Sequence, residues 1–329
     1  MTPMHLSAPR HHPAKPQRGA AILTAMLTVV LVASLAASAL WQQWRGIEIE
    51  TAERSRSQSS WILTGALDWA RLILREDARK GGADHLAEPW AIPLEQARLS
   101  TFLAADRSDA LAAEETQDAF LSGQMQDLQS RLNVTNLVLE GKVHEPTELA
   151  FERLFKTLNL PGRELDHMTE QLVLAMGTPS DQKPLPNAPL MPQTVDQLTW
   201  VGLSPRSLAV LRPFITLLPV RTPVNLNTAP VEVVYACVPT FELADAHRLV
   251  ANRTETHFSS LTEAAKAAGQ ANTPLNDAQH SINSRYFEIR GNLQIEQTTV
   301  QEKSMVQRDG LDVKTLLRAR GVFNTRPLQ

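Results

Sequence analysis

The peptide bond between Gly19 and Ala20 is the position in this sequence where a specific reaction can be predicted. A basic leader ending in Gln17-Arg18-Gly19 precedes residues 20–41, which are uncharged and almost wholly apolar. As a helix rising roughly 1.5 Å per residue, this run reaches about 33 Å, enough to cross a hydrocarbon core of about 30 Å. An ordinary secretory signal is cut after its apolar region. Here the glycine stands before the apolar region, so cleavage after Gly19 would leave the span in the mature protein.

The charges around this junction predict how the chain is oriented in a membrane. The leader carries Arg10, Lys15 and Arg18 and no acidic residue. The positive-inside rule therefore places the N-terminus in the cytoplasm and everything after the span on the opposite side. Removal of these three positive charges takes the formal net charge from −3 to −6. An acidic exported domain does not favour nucleic-acid binding, which normally requires a basic surface.

Signatures of enzymatic chemistry are missing from the sequence. It contains no G-x-S-x-G, H-E-x-x-H, P-loop or G-x-G-x-x-G motif. The nine histidines are scattered, and the one cysteine, Cys237, lies at the end of an apolar helical segment. That context is typical of a buried small residue. We therefore expect a protein that is not an enzyme.

Helical periodicity continues beyond the span. Apolar residues recur at three- and four-residue spacing between Ile62 and Ala78, and Gly81-Gly82 is a natural stop. One helix is therefore expected over about 20–80, apolar all round in its first half and amphipathic in its second. The other predicted elements are helices at 94–105, 109–120 and 148–176, a strand at 132–139, strands at 286–290 and 293–296 joined by a turn at Gly291-Asn292, and strands at 299–308 and 312–319.

These elements predict an α+β fold, in which a long N-terminal helix packs on an antiparallel sheet and a large all-helical domain is inserted. Five prolines between residues 179 and 192 indicate an extended loop within the insertion. The predicted segments are a leader at 1–19, the membrane-spanning part of the helix at 20–41, the first part of the body at 42–142, the insertion at 143–275 and C-terminal strands at 276–329.

The segment Val224–Pro230 is the sharpest local motif outside the span. Its Asn-Thr pair can cap the following helix and its proline fits the first helical turn. This layout is similar to a helix-hairpin-helix or SAM-like module. Phosphate binding would require a glycine-bearing hairpin, and residues 237–241 contain no glycine, although Arg248 and Arg253 could contact phosphate. A membrane-anchored DNA-handling competence or type IV pilus component is therefore the alternative to a module that contacts protein partners.

Five features in a fixed order resemble one known family. The leader resembles that of type IV prepilins, which ends in glycine. The other four are the segments 84–91 (DHLAEPWA), 127–137 (DLQSRLNVTNL), 224–230 (VNLNTAP) and 284–287 (SRYF). Together they are similar to the minor pseudopilin K family of type II secretion systems, over most of the chain. The resemblance implies a pilin fold and a non-enzymatic minor pseudopilin at the tip of the periplasmic pseudopilus, where it initiates or caps pseudopilus assembly for protein export across the outer membrane.

The resemblance also implies partners and a location. The expected partners are the I- and J-type minor pseudopilins, the major pseudopilin, the prepilin peptidase and the inner-membrane assembly platform, with no nucleic acid. The expected location is the cell inner membrane, crossed once, with the C-terminal domain in the periplasm. The peptidase is expected to cleave between Gly19 and Ala20, followed by N-methylation of Ala20.

Thr24 and a set of carboxylates complete the expected site residues. Most pilin-class proteins carry glutamate at the fifth position after the cut, whereas K-type pseudopilins generally lack it, as does this chain at Thr24. Related K proteins can bind calcium through the inserted domain, but the acidic runs that they carry are thinned out here. No cofactor is required in this interpretation. The remaining calcium candidates are Asp166, Glu170, Asp181 and Asp196.

Overall fold

The computed structural model describes residues 18–99, 119–176, 188–270, 275–295 and 298–321. The chain divides into two compact units, residues 1–58 and 59–329. In the first unit the described residues belong to one helix, α1, which covers Arg18–Lys80 and continues into the second unit. Residues 20–54 of this helix are exposed throughout. The long helix predicted from the apolar periodicity is confirmed.

A five-stranded antiparallel sheet forms the body of the second unit. Strands are numbered in chain order, and the sheet consists of β1 (Leu94–Arg98), β2 (Ala119–Asp127), β9 (Tyr286–Ile295), β10 (Thr298–Asp309) and β11 (Asp312–Gly321), side by side in that order. The strands predicted at 299–308 and 312–319 are confirmed as β10 and β11. Because β2 and β9 are neighbours, residues 128–285 form an excursion between two adjacent strands, and this excursion contains the predicted insertion.

The second half of α1 docks on one face of this sheet. Its buried residues Leu63, Leu67, Ala70 and Leu74 are four, three and four positions apart, the spacing of one helical face. They join two apolar clusters with the sheet, one that contains Phe287 and Val306 and one that contains Leu121 and Leu293. The sheet therefore fixes the helix through a repeated aliphatic stripe.

The excursion has its own hydrophobic core. Its helices are α2 (Glu145–Thr157), α3 (Gly162–Met176), α4 (Pro205–Leu211), α5 (Val231–Cys237), α6 (Leu243–Glu255) and α7 (Leu261–Ala267). Its two-residue strands are β3 (Leu132–Asn133), β4 (Val138–Leu139), β5 (Lys142–Val143), β6 (Ile215–Thr216), β7 (Val224–Asn225) and β8 (His280–Ser281). Fully buried Phe151, Leu172 and Val234 belong to one continuous apolar cluster of the excursion.

The helices predicted at 94–105 and 109–120 are wrong within the residues that the structure describes. Residues 94–98 form strand β1, and Phe120 lies in strand β2. The parts of these predictions at 100–105 and 109–118 lie outside the described residues. The helix predicted at 148–176 is divided into α2 and α3, because Asn159 adopts a left-handed backbone (φ 53°) and Pro161 follows.

Part of one strand prediction and one turn prediction were also wrong. Residues 134–137 form a 3₁₀ turn instead of a strand, because the Asn133 side chain accepts a hydrogen bond from Thr135 N and caps that turn. The turn expected at Gly291-Asn292 is the middle of the continuous strand β9. Gly291 pairs there with Gly123 on one side and Glu302 on the other, so local turn preference was overridden by two strand partners.

A pair of leucines two positions apart on α1 tests this docking. Leu74→Ala removes a fully buried side chain and should lower the free energy of unfolding by about 2–5 kcal/mol. Leu72 is exposed, so Leu72→Ala should change the free energy of unfolding by less than about 0.5 kcal/mol. Chemical unfolding of the full chain in detergent measures both values, and equal losses would show that the assigned helix face is wrong.

Candidate functional site

The apolar half of α1 satisfies its own polar side chains. Among the described residues there is one helix long and apolar enough to cross a membrane, Ala20–Lys80, with a mean hydropathy of 2.4 in its most apolar window. Thr24 Oγ1 lies 3.0 Å from the carbonyl oxygens of Ala20 and Ala21 and donates back to them. The same local bond is made by Thr28, Ser34 and Ser38. These hydroxyls therefore need no partner in lipid, where an unsatisfied polar group is costly.

The predicted cleavage bond, between Gly19 and Ala20, lies in the first turn of α1. Cleavage there and methylation of Ala20 remain predictions.

A buried polar cluster joins the sheet to the excursion. We call it the junction hub, and it consists of Asp77, Asp84, Asp127, Asn225, Thr228, Ser284 and Arg308. At its centre the Asp127 carboxylate, at the end of β2, accepts hydrogen bonds from Thr228 Oγ1 (2.5 Å), Ser284 Oγ (2.5 Å) and Asn225 Nδ2 (3.1 Å). Its other oxygen accepts from Gln129 N at 2.7 Å. One side chain therefore ties together the start, the middle and the end of the excursion.

Arg308 supplies the positive charge of the hub. From strand β10 its guanidinium contacts both carboxylate oxygens of Asp84 (2.5 and 2.7 Å) and one oxygen of Asp77 (2.6 Å). It also donates to the Ser284 carbonyl at 2.8 Å and lies over the Phe287 ring, 4.9 Å from its centre. The two terminal nitrogens contact two different carboxylates while the guanidinium lies over the ring, an arrangement that suits arginine better than lysine. Arg308 thus links the end of α1 to two strands.

Amide side chains after β2 fix the return path of the excursion. Asn133 accepts from Leu218 N (3.1 Å) and donates to Val220 O (2.8 Å). Asn136 likewise accepts from Thr222 N (3.1 Å) and donates to Thr222 O (2.7 Å). These amides take the place of a neighbouring strand and satisfy backbone groups that would otherwise be buried without partners.

Burial sets the ionisation of the hub carboxyls. Burial raises the pKa of Asp127 to about 6, although hydrogen bonds from Ser284, Thr228 and Gln129 oppose the shift. Burial likewise raises the pKa of Asp84, against the attraction of Arg308. Burial lowers the pKa of Arg308, but Asp84 and Asp77 outweigh it and the net shift is upward. We take Asp84 and Arg308 as ionised at neutral pH because their contacts are short and charge-assisted.

Glu88 is a further carboxyl beside the hub. Its Oε2 accepts from His85 N (2.9 Å) and Trp90 Nε1 (2.7 Å). Burial raises its pKa to about 7, and the neighbouring Asp77 carboxyl adds to the rise. Glu88 therefore keeps its proton to a much higher pH than an exposed glutamate does.

The sequence motifs and the hub overlap. Asp84, Asp127, Asn225 and Ser284 all lie within the four segments that carried the family resemblance, but nothing in the sequence predicted that they would meet. Arg308 was missed. The strand alternation could have identified it, because Arg308 follows the inward-facing Glu302, Ser304 and Val306 at the same two-residue spacing. A cation on a buried face requires an acidic partner.

The calcium candidates do not converge in the part of the chain that the structure describes. Asp166 and Glu170 are exposed on α3, and Asp196 forms an ion pair with Arg212. Asp181 lies outside the described residues. A different group of three acidic residues does converge within the described residues, namely Asp77, Asp84 and Glu88. Arg308 already contacts two of them, Asp77 and Asp84. Calcium at the candidate residues stays a prediction.

The two arginines considered for phosphate contact have other partners. Arg253 is largely buried and donates to the carbonyl oxygens of Leu226 and Ala229 (2.7 and 2.6 Å), and burial lowers its pKa to about 10. Arg248 forms an ion pair with Asp245.

The hairpin at 237–241 presents carbonyl oxygens, at positions 239 and 241, to Arg153. Nothing in this geometry favours an anion at the hairpin. Cys237 is buried, as predicted, and burial raises the pKa of its thiol to about 12.

Comparisons with known proteins agree with this architecture. Two family models, both described as type II secretion system protein K, match residues 130–220 and 224–283. The type II secretion system protein K of Pseudomonas aeruginosa is 26% identical to this chain in an alignment that covers 92% of this chain and 90% of the relative.

A solved structure, the GspK-GspI-GspJ complex from the type 2 secretion system of enterotoxigenic Escherichia coli, contains a chain of the same fold. The TM-score is 0.63 at 17% identity, over 83% of this chain and 99% of that one. At this identity the similarity establishes the fold.

A long helix that packs in its second half on an antiparallel sheet is the architecture of a pilin-like fold, and its apolar first half fits a single-pass membrane anchor. The matches at 130–220 and 224–283 cover most of the excursion, the part that distinguishes this chain from a simple pilin. Over these residues the chain is similar to the type II secretion system protein K family, and this similarity supports a minor pseudopilin of that kind.

Removal of the Arg308 guanidinium should destabilise the folded state strongly. Arg308→Met leaves Asp77 and Asp84 buried without a counter-charge and should lower the free energy of unfolding by about 3–5 kcal/mol. Arg285→Met is the matched control, because Arg285 pairs with Asp309 at the surface, and it should cost less than about 1 kcal/mol. Urea unfolding of both variants measures the difference, and a loss below 1 kcal/mol for Arg308→Met would contradict the assigned role.

Glu88→Gln should stabilise the protein at alkaline pH. The folded-state pKa of Glu88 lies above its unfolded value, so this carboxyl destabilises the fold progressively between about pH 4.5 and pH 7, and fully above that range. The variant should gain about 1 kcal/mol at pH 8.5, after allowance for solvent screening, and nothing at pH 4. Thermal unfolding at the two pH values measures this. Glu76→Gln, at the exposed pair with Arg79, is the control and should show no such difference.

Proposed function

We propose that this chain is a non-enzymatic minor pseudopilin that occupies the tip of the periplasmic pseudopilus and initiates or caps its assembly. The observation that carries the proposal is the bonding of Thr24. The glutamate that most pilin-class proteins have at this position is a buried charge that requires a partner in lipid. Thr24 is satisfied by its own helix. A subunit at the end of a filament has no neighbour above it, and this span needs none.

The size of the excursion supports the same position. Residues 128–285 extend from between two adjacent sheet strands and carry a separate core. A head of this size would be difficult to repeat in a closely packed helical shaft. At the tip no further subunit has to pack above this head.

The partners proposed are the I- and J-type minor pseudopilins. The related E. coli chain is in a complex with GspI and GspJ, according to the description of that structure. In this chain a row of large apolar side chains, Trp61, Trp69 and Leu72, lies exposed on α1. Their offsets of eight and eleven residues place them on one helical face. We call this row the α1 stripe and propose that it contacts a partner pseudopilin, because exposed aromatic residues on one face are typical of interfaces.

The proposed location is the inner membrane, with the N-terminus in the cytoplasm, the body in the periplasm, and the assembly platform and the major pseudopilin as further partners. The alternative, a DNA-handling protein, has weaker support because Arg253 donates to backbone carbonyls and Arg248 is paired within the chain. Salt-dependent DNA binding by the full chain, lost in an Arg248→Ala variant, would favour that alternative.

Co-expression with a prepilin peptidase tests the assignment. Intact mass should show a chain that begins at Ala20 and carries one added methyl group. Gly19→Val should block the cleavage, because the residue before the cut changes, whereas Gly46→Val on the same helix should leave it unaffected. An intact N-terminus in the unmodified chain, with a control prepilin cleaved in the same cells, would contradict the proposal.

A further inference from the structure

A groove lies between α1 and the sheet, open to one side. It encloses about 280 Å³ and is lined by residues 63–73 of α1, by the segment 89–94 and by strands β2, β9 and β10. Most of its wall is apolar, from side chains such as Leu67, Ile73 and Ile92. An apolar cavity of about 150 Å³ is enough to bind benzene. The space here is therefore large enough for an aromatic side chain.

The groove exists because the floor of the sheet lacks large side chains at this point. Gly123 and Gly291 face each other across β2 and β9, and Glu302 is next in the same row. An added Cβ on Gly123 would lie 3.0 Å from the Arg290 carbonyl oxygen, so a side chain there would require the neighbouring backbone to shift. This row separates the two apolar clusters beneath α1. The body core is thus interrupted where the groove runs.

Ser304 provides a polar group inside this space. It lines the groove, only 2% of it is exposed, and its hydroxyl has no hydrogen-bond partner among the described residues. Glu302 is its buried neighbour, but the two carboxylate oxygens of Glu302 accept hydrogen bonds from Arg318 (2.5 Å) and Arg320 (2.7 Å). A buried hydroxyl is normally paired. The floor therefore presents one unused donor and acceptor below an apolar wall.

The mouth of the groove is continuous with the α1 stripe. Trp69 belongs to both, and Ile92 on the opposite wall is 64% exposed. A partner that covers the stripe would therefore also cover the mouth. This step rests on the proposed function, in which the stripe contacts another pseudopilin.

We propose that the groove receives one side chain of a partner pseudopilin, a large apolar side chain that ends in a hydrogen-bonding group, as tyrosine does. Its ring would fill the space between α1 and the sheet, and its polar end would bond Ser304 Oγ. Aromatic residues with a polar tip combine these two properties and are enriched at the centres of interfaces.

Binding of the full-length chain in detergent to a preparation of its I- and J-type partners tests the proposal. Ala66→Phe fills the groove from α1 and should weaken binding at least tenfold. Ser304→Ala removes the hydroxyl and adds no atoms to the groove, and it should raise the thermal midpoint of the isolated chain yet weaken binding several-fold. Ala251→Phe, the same enlargement at an exposed site in the excursion, is the control and should leave binding unchanged.

Trp61→Ala separates this proposal from the function that it rests on. If Trp61→Ala weakens binding but Ala66→Phe does not, the stripe is an interface and the groove proposal is overturned. If Ala66→Phe weakens binding and Trp61→Ala does not, the groove is supported and the stripe is not. If neither weakens binding, both are overturned.

Photo-cross-linking covers the case in which Ala66→Phe fails to fold. With p-benzoylphenylalanine in place of Ile92, the full chain should cross-link to a partner, and with it in place of the exposed Leu243 in the excursion it should not. Absence of a cross-link from position 92 would overturn the proposal. Native mass spectrometry that finds a lipid or another small molecule retained in the groove would also overturn it, because the occupant would not be a side chain.

Discussion

The contact between Arg308 and the carboxylates of Asp84 and Asp77 is the interaction on which the rest of this structure depends. The guanidinium neutralises two acids that are almost completely buried, and both come from the region where α1 ends. With Asp84 held in this way, its second oxygen accepts from Ser284 N, and Ser284 in turn donates to Asp127. Burial of these charges is tolerable only when they are paired and hydrogen-bonded. The hub therefore fixes the helix, the sheet and the excursion in one arrangement.

The elements that depend on local periodicity were predictable from the sequence. The stripe Leu63, Leu67, Ala70 and Leu74 marks α1 and the face that it buries, and the alternation of β10 and β11 marks those strands. Two of the errors have the same physical cause. At Gly291 and at residues 94–98, contacts with distant strands override the local preference.

The candidate site was only partly predictable, for a related reason. Asp127 and Ser284 are 157 positions apart, and no spacing rule brings them together. The motifs supplied the members of the hub without its geometry. The groove could not be anticipated either, because it depends on two glycines that face each other only when β2 and β9 are paired.

The two halves of α1 have different physical requirements, and this difference is what connects the fold to the proposed function. The first half satisfies its own hydroxyls and needs no polar partner in the membrane. The second half buries one face on the sheet and leaves Trp61, Trp69 and Leu72 exposed on another. In the proposed function, the first half is the membrane anchor of a subunit at a filament end, and the exposed row of the second half is its surface for neighbours.

A double-mutant cycle between Asp84 and Arg308 tests the central claim most directly. Asp84→Asn keeps an acceptor for Ser284 N but removes the charge, and Arg308→Met removes the cation. If the pair is the constraint described here, unfolding of the two single variants and the double variant should give a coupling energy of about 2 kcal/mol or more, with the double variant less destabilised than the sum of the singles. If the losses add to within about 0.5 kcal/mol, the two residues act independently and the account of the hub is wrong.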